Sequence, residues 1–246
     1  MADSIFIYIH VPFFVGPDDK LLVERQAANG MRLWRENFDE VVVMAPLGRG
    51  GAVAGWIDAP AIPGLRFEPV PDGYRADRFL RHLPAQGRRI ARLIDAADYL
   101  CFSLGGLFDW GSLAGMIAYR KGRSFAVWTD RVESQVTLRK GQSGAGSVRT
   151  WLKGRLMARL ERHVISRADL GLFHGAETYE VYAPHAGRAV LAHNIHLAAE
   201  DRLSPEMLAA KRARLAQGPL RLGYAGRVHW SKGWQDWIRA IEDLRA

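Results

Sequence analysis

The chain has 246 residues, 48% hydrophobic and 24% charged, which is enough apolar material for one large buried core, or one and a fraction, and too much for a disordered chain. Its formal charge of +8 and pI near 9.9 ask for an anionic partner: a phosphorylated substrate, a phospholipid surface or nucleic acid. A single cysteine, Cys101, excludes an intrachain disulfide and a cysteine-based zinc site, and no stretch reaches the roughly eighteen consecutive apolar residues of a membrane-spanning helix.

Met1-Ala2-Asp3-Ser4 leads into the first apolar run without the basic segment of a secretory leader, so a soluble, cytosolic protein is expected. Residues 5–9, Ile-Phe-Ile-Tyr-Ile, form a buried strand that ends at His10-Val11-Pro12. A loop through Gly16-Pro17-Asp18-Asp19 follows, then a helix over about 20–37 and a second buried strand over 41–45, ended by Pro46. Strand, helix, strand in this order argues for a parallel α/β unit. Gly, Ala and Pro crowd residues 48–63, and 65–70 alternates as a third strand near a sheet edge, since Pro69 cannot donate to a ladder. Helices over 84–97 and 110–121 flank a fourth strand at 99–104, where Cys101 reads as a small core hydrophobe. Residues 124–129 make a fifth strand.

At the carboxyl ends of the fourth and fifth strands, where open α/β sheets place their ligands, stand Ser103, Gly105 and Asp130. Asp130 has two readings: a base or hydrogen-bond acceptor for a substrate hydroxyl, or an ordinary turn or helix-cap aspartate. Ser103 and Gly105 are either turn chemistry or acceptor contacts.

Residues 138–147, LRKGQSGAGS, read as a loop; no lysine and hydroxyl pair follows as in a P-loop, and no strand precedes Gly144-Ala145-Gly146. The helix over 148–166 carries Val148, Leu152, Leu156, Leu160 and Val164 at i, i+4 spacing along one side, with cations elsewhere. From Arg131 to Arg167, nine basic residues stand against two acidic ones, nearly the whole charge excess. Arg139, Lys140, Arg149, Lys153, Arg155 and Arg159 are therefore candidates for contact with an anionic membrane surface. The alternative is an apolar side packed on the sheet with merely solvated cations; both hold if core and lipid take opposite faces.

A sixth strand over 169–173, a short helix over 176–183 and a seventh strand over 189–192 complete the pattern. His193 and His196 lack a third metal ligand in view and read as a polar turn. A helix over 204–217 has Ser204 as cap and Pro205 at its first position. The fold class is α/β, a Rossmann-like parallel sheet with helices on both faces over 1–200, followed by a linker helix and the start of a second, incomplete domain over 201–246. Residues 218–246 fall far short of the roughly 100–150 that an independent domain uses.

Within that last stretch, Leu220, Leu222, Tyr224 and Ala225 make an apolar run that halts at Gly226. Trp234, Trp237, Ile238, Ile241 and Leu244 then recur at helical spacing. Between the two lie Gly226, Arg227, Ser231, Lys232 and Gly233. Two cations at a helix amino terminus suit a diphosphate, since arginine forks two donors onto phosphate oxygens and lysine adds a compact charge.

The pattern G-R-V-x-x-x-K-G, here Gly226, Arg227, Val228, Lys232 and Gly233, resembles the opening of the donor domain in family 4 glycosyltransferases of the GT-B fold. That resemblance implies that Arg227 and Lys232 contact the diphosphate of a nucleotide sugar, and that transfer retains anomeric configuration without a metal or other cofactor. It implies acceptor contacts from the loop after the first strand, here around Gly16, and a histidine near the end of the fifth strand, where this chain has Trp128-Thr129-Asp130. The acceptor expected is a glycolipid or polysaccharide precursor, with the protein peripheral at the inner face of a membrane. Two other functions fit the same residues: the acceptor half of a split transferase, with a partner chain on the Trp234 helix, or a non-catalytic module binding anions or membranes. No RNA-binding aromatic signature or helix-turn-helix pattern supports nucleic acid as the partner.

Overall fold

The computed structural model describes residues 3–16, 18–48, 55–142, 148–193, 202–217, 222–225 and 233–244. The chain divides into two compact units, Met1–His196 and Leu197–Ala246. The first is built on a sheet of seven strands: β1 (Ser4–Tyr8), β4 (Glu40–Leu47), β6 (Leu65–Pro71), β7 (Tyr99–Ser103), β8 (Ala126–Thr129), β9 (Leu170–His174) and β10 (Ala189–Ala192). They lie in the order β10-β9-β8-β7-β1-β4-β6, and every pairing is parallel. The chain thus runs outward from β1 to one edge, returns to β7 on the other side of β1, and continues to the opposite edge. That is the doubly wound, Rossmann-like topology, and its winding reverses between β1 and β7.

Side chains alternate across this sheet with the period of two that a strand dictates. Phe6, Tyr8, Val42, Met44, Leu100 and Phe102 face one core, shared with α2 (Ala76–Ala96), α3 (Trp110–Arg120), α5 (Val148–Ile165) and α6 (Ala176–Tyr182). Ile5, Ile7, Val41, Val43 and Cys101 face a second core, shared with Ala28 and Met31 of α1 (Arg25–Arg35). Because strands of a parallel sheet are covered on both faces, they read in the sequence as unbroken apolar runs. Burial in the second core pushes the Cys101 thiol up to about 12, so it is inert packing.

Four elements differ from the sequence-based expectation. The region before α1 folds as a small antiparallel sheet of β2 (Phe14–Val15), β3 (Leu21–Glu24) and β5 (Trp56–Asp58), so the helix begins at Arg25 instead of near residue 20. α2 starts at Ala76 and contains Pro84 instead of starting there; Phe79 stacks on Trp110 with ring centroids 4.3 Å apart and pulls the earlier turns onto the core. Part of the expected loop over 138–147 belongs to α4 (Glu133–Gln142). α4 is tied to α5 and α6 through the buried Glu161, which accepts from the Ser134 N–H (3.0 Å), the Ser134 hydroxyl (2.6 Å) and the Tyr182 hydroxyl (2.9 Å). In the second unit, α7 (Pro205–Gln217) and α8 (Trp234–Asp243) form as expected, but residues 222–225 are not a strand.

Close approach of α3 to the sheet depends on Gly111, where an added Cβ would lie 2.0 Å from the Ser103 carbonyl oxygen and 2.6 Å from Tyr8 Cδ1. Gly87, inside α2, has open space around its Cβ position. In denaturant unfolding, Gly111→Ala is expected to destabilise the protein by about 1–3 kcal/mol through overpacking. Gly87→Ala is expected to stabilise it by about 0.4–1 kcal/mol through a less flexible unfolded chain. Equal effects from the two would contradict the packing described.

Candidate functional site

The reversal between β1 and β7 leaves a crevice at the carboxyl edge of the sheet, the place where doubly wound sheets hold ligands. Two residues past β1 stands His10, and β7 ends at Ser103. The ring bridges the crevice: the Ser103 hydroxyl lies 2.7 Å from Nδ1, and Nε2 lies 2.8 Å from Asp109 Oδ1. Asp109 is the N-cap of α3, and its other oxygen, Oδ2, accepts from the Ser112 N–H at 2.8 Å and the Ser112 hydroxyl at 2.9 Å. One carboxylate therefore caps a helix and holds a histidine at once. The helix amino terminus also favours its negative charge.

Asp109 and Ser103 are 2% and 3% exposed, whereas the His10 side chain is 26% exposed, so the imidazole is the member of the array that a ligand reaches. Tyr8 meets the ring edge-on at 5.3 Å and Tyr74 lies across it at 6.5 Å. Gly105 supplies the floor: a Cβ there would sit 2.5 Å from both Cε1 and Nε2 of His10. The space that would hold a side chain is filled by the imidazole.

Burial disfavours the imidazolium, but the Asp109 charge and hydrogen bond, with Glu133 and Asp130 further away, outweigh it and raise the His10 pKa above its ordinary 6.5. Asp109 is pushed up by burial and pulled down further by His10 and the Ser112 donors, so it ionises below its ordinary value. Burial, then Asp109 and Tyr74, hold the Tyr8 phenol protonated far into alkaline pH. With Nε2–H donated to Asp109, neutral His10 presents an Nδ1 lone pair that the Ser103 hydroxyl occupies as donor. This is a proton-accepting group with a fixed tautomer and an anion behind it to stabilise the imidazolium.

Ser103 and Gly105, candidates from the sequence, are thus brought together around His10. Asp130 lies exposed just past β8, and its charge acts on His10 as the weakest of the three carboxylates. Gly16 serves the β2–β3 turn, where its N–H donates to the Lys20 carbonyl at 2.8 Å. Arg149, Lys153, Arg155 and Arg159 are exposed on α5; Arg139 is exposed on α4 and pairs with Glu177 at 3.0 Å, and Lys140 lies further along α4. Gly226, Arg227 and Lys232 lie outside the described residues. Among the described residues no group of three or more His, Cys, Asp or Glu side chains is placed to hold a metal.

His10 and Asp109 escaped the sequence reading because they are 99 residues apart and each has an ordinary local explanation, a strand end and a helix cap. The usable signal was topological: in a doubly wound sheet the first and fourth strands become neighbours, so the polar residues ending those two strands meet.

No protein-family model matches the chain, and no curated protein matches its sequence. Among solved structures it is similar to a UDP-glucosyltransferase from Polygonum tinctorium, at 12% identity and a TM-score of 0.46 over 89% of this chain and 57% of that one. It is also similar to S. aureus MnaA solved with UDP, at 9% identity and a TM-score of 0.43 over 83% of this chain and 49% of that one. A carbohydrate kinase from Agrobacterium tumefaciens gives 16% identity and a TM-score of 0.43 over 78% of this chain and 70% of that one. The chain spans about half the length of the two UDP-related structures.

The raised His10 pKa makes the ion pair a source of stability that is fully present below about 6.5 and lost as pH rises through the folded value. The lowered Asp109 pKa sets the acid limit, where the contribution disappears as pH falls through that value. Titration of the His10 ring followed by NMR is expected to give a lower pKa in Asp109→Asn, because burial is then opposed only by Glu133 and Asp130. An unchanged value would remove Asp109 as the cause.

Proposed function

We propose that the chain is the acceptor-side portion of a glycosyltransferase, taking a sugar from a nucleotide diphosphate donor to a hydroxyl of a glycolipid or polysaccharide precursor. The observation that carries this reading is the His10–Asp109 pair at the crevice of a Rossmann-like sheet. The G-R-V-x-x-x-K-G stretch beginning at Gly226, in the second unit, adds the diphosphate contact. The reaction needs a base for the acceptor hydroxyl and cations for the leaving group. His10 supplies the first, and Arg227 and Lys232 supply the second.

In the forward step the acceptor oxygen bonds to the anomeric carbon while the bond from that carbon to the diphosphate oxygen breaks. The Ser103 hydroxyl turns off Nδ1 as the acceptor hydroxyl binds, His10 Nδ1 takes the acceptor's proton, and the nucleoside diphosphate leaves with its electron pair. Asp109 accepts from Nε2–H throughout and stabilises the imidazolium. Ser103 is a positioning residue: before the acceptor binds, its hydroxyl donates to Nδ1 and holds the ring in the tautomer with the proton on Nε2. Asp130 and Glu133 add to the negative field that favours the imidazolium. A nucleotide sugar is the only small molecule this scheme requires, with no metal or other cofactor.

The Ser103–His10–Asp109 array also invites a second reading, an acyl hydrolase with Ser103 as nucleophile. The 3% exposure of Ser103 weighs against it, since a nucleophile must be reached by its substrate. Covalent labelling of Ser103 by a fluorophosphonate would put this reading in place of transfer.

In the whole protein, calorimetric titration is expected to show binding of UDP or GDP and their sugars, lost in Arg227→Ala. His10→Ala is expected to lower transfer by about 100- to 10,000-fold while leaving nucleotide affinity intact. Loss of nucleotide binding together with transfer in His10→Ala would place the histidine on the donor and defeat the assignment. The product anomer then separates two uses of the residue. Inversion fits His10 as the base, whereas retention leaves the proton to the departing diphosphate and His10 as a group that orients the hydroxyl.

A further inference from the structure

α5 has two apolar faces on opposite sides. Gly154, Met157, Glu161, Val164 and Ile165 are buried toward the sheet and α4. Val148, Trp151, Leu152 and Leu156 point the other way and are 81%, 53%, 50% and 47% exposed. At about 100° per residue, strict i, i+4 spacing drifts by roughly 40° a step, so the five-residue stripe expected from the sequence does not stay on one side. It starts at Val148 facing solvent and reaches the core at Val164. The exposed half is therefore a separate feature and not the edge of the core.

Cations surround that exposed half. Arg155 and Arg159 share its side of the helix, Arg149 and Lys153 flank it, and all four are exposed. The Arg155 guanidinium stacks 5.0 Å from the Trp151 ring, holding the indole at the surface. α5 returns from the carboxyl edge of β8 to the amino end of β9, so its first half stands at the edge of the sheet that carries His10. Met157 marks the level: its methyl lies 3.7 Å from the Cβ position of Gly106, one residue beyond the floor of the histidine site.

We propose that the outward face of α5, residues 148–159, is a docking surface for a bilayer containing anionic phospholipid. Trp151, Leu152, Leu156 and Val148 enter the boundary between headgroups and acyl chains, while Arg149, Lys153, Arg155 and Arg159 meet lipid phosphates. Tryptophan, leucine and arginine on one short helical face suit that boundary because each end of the layer, apolar and anionic, finds its complement. Docking through this face brings the crevice edge to the membrane, where a lipid-borne substrate is presented. The proposal stands on α5 alone and survives failure of the transferase reading.

The test is sedimentation of the whole protein with vesicles of phosphatidylcholine alone or mixed with phosphatidylglycerol, across a range of salt. Binding is expected only to the anionic vesicles, weakening as salt screens the cations. Leu152→Ser with Leu156→Ser is expected to reduce it by at least about tenfold without a change in thermal unfolding, since both side chains already face solvent. Tryptophan quenching by brominated acyl chains is expected in the native protein and diminished in Trp151→Phe. Three results would overturn the proposal: no vesicle binding, binding that survives the double leucine change and so depends on charge alone, or self-association through this face in place of lipid binding.

Discussion

A carboxylate with almost no access to water is costly to ionise, and Asp109 is ionised because three donors surround it: the Ser112 N–H, the Ser112 hydroxyl and His10 Nε2–H. That requirement fixes several parts of the fold together. The amino terminus of α3 must sit over the carboxyl end of β7, His10 must leave β1 toward it, and nothing larger than hydrogen fits at Gly105 or Gly111. The histidine tautomer, the ring position and the helix cap are consequences of one buried charge. Removing the carboxylate therefore affects packing as well as proton affinity, and only measurements that separate the two, such as the ring titration, report on its electrostatic part.

The sheet explains why this charge lies where a ligand can use it. Alternating faces of β1, β4 and β7 are consumed by two apolar cores, leaving no room for polar side chains along the strands. Polar chemistry is pushed to the strand ends. At the amino ends it goes to structural ties, such as the Ser4 hydroxyl donating to Asp98 at 2.6 Å. At the carboxyl ends, helix amino termini and the reversal of winding open a crevice, and the array of Ser103, His10 and Asp109 occupies it.

Most of this architecture was legible because burial on both faces writes a strand as a continuous apolar run, and seven such runs separated by helical periods admit few topologies. The parts that were not legible have specific causes. Strands β2, β3 and β5 are two to four residues long, too short for a period to register. Pro84 suggests a helix start on local grounds, and the aromatic stack of Phe79 on Trp110 overrides it from another element. Ser103 and Gly105 were found by the rule that strand ends carry ligands, and the same rule applied to the first strand leads to His10. Asp130 stands out in the sequence because it follows a strand visibly, whereas Asp109 hides as a cap before Trp110. What separates the two aspartates is burial and contact, which a sequence does not state.

The charges near His10 also constrain what the crevice can accept. Asp109, Glu133 and Asp130 all favour positive charge at the imidazole, so this edge suits a neutral hydroxyl that gives up a proton and is a poor seat for a diphosphate. Most of the chain's positive excess lies between Arg131 and Arg167, and Arg131 pairs with Glu133 beside this edge. On the proposed reading, the proton leaves the acceptor beside carboxylates that stabilise the imidazolium it forms. An anion brought against the imidazole would compete with Asp109 for Nε2–H. The depth of Asp109 beneath the imidazole prevents that exchange, because the carboxylate is already committed to the cap of α3 and has no water through which to be displaced.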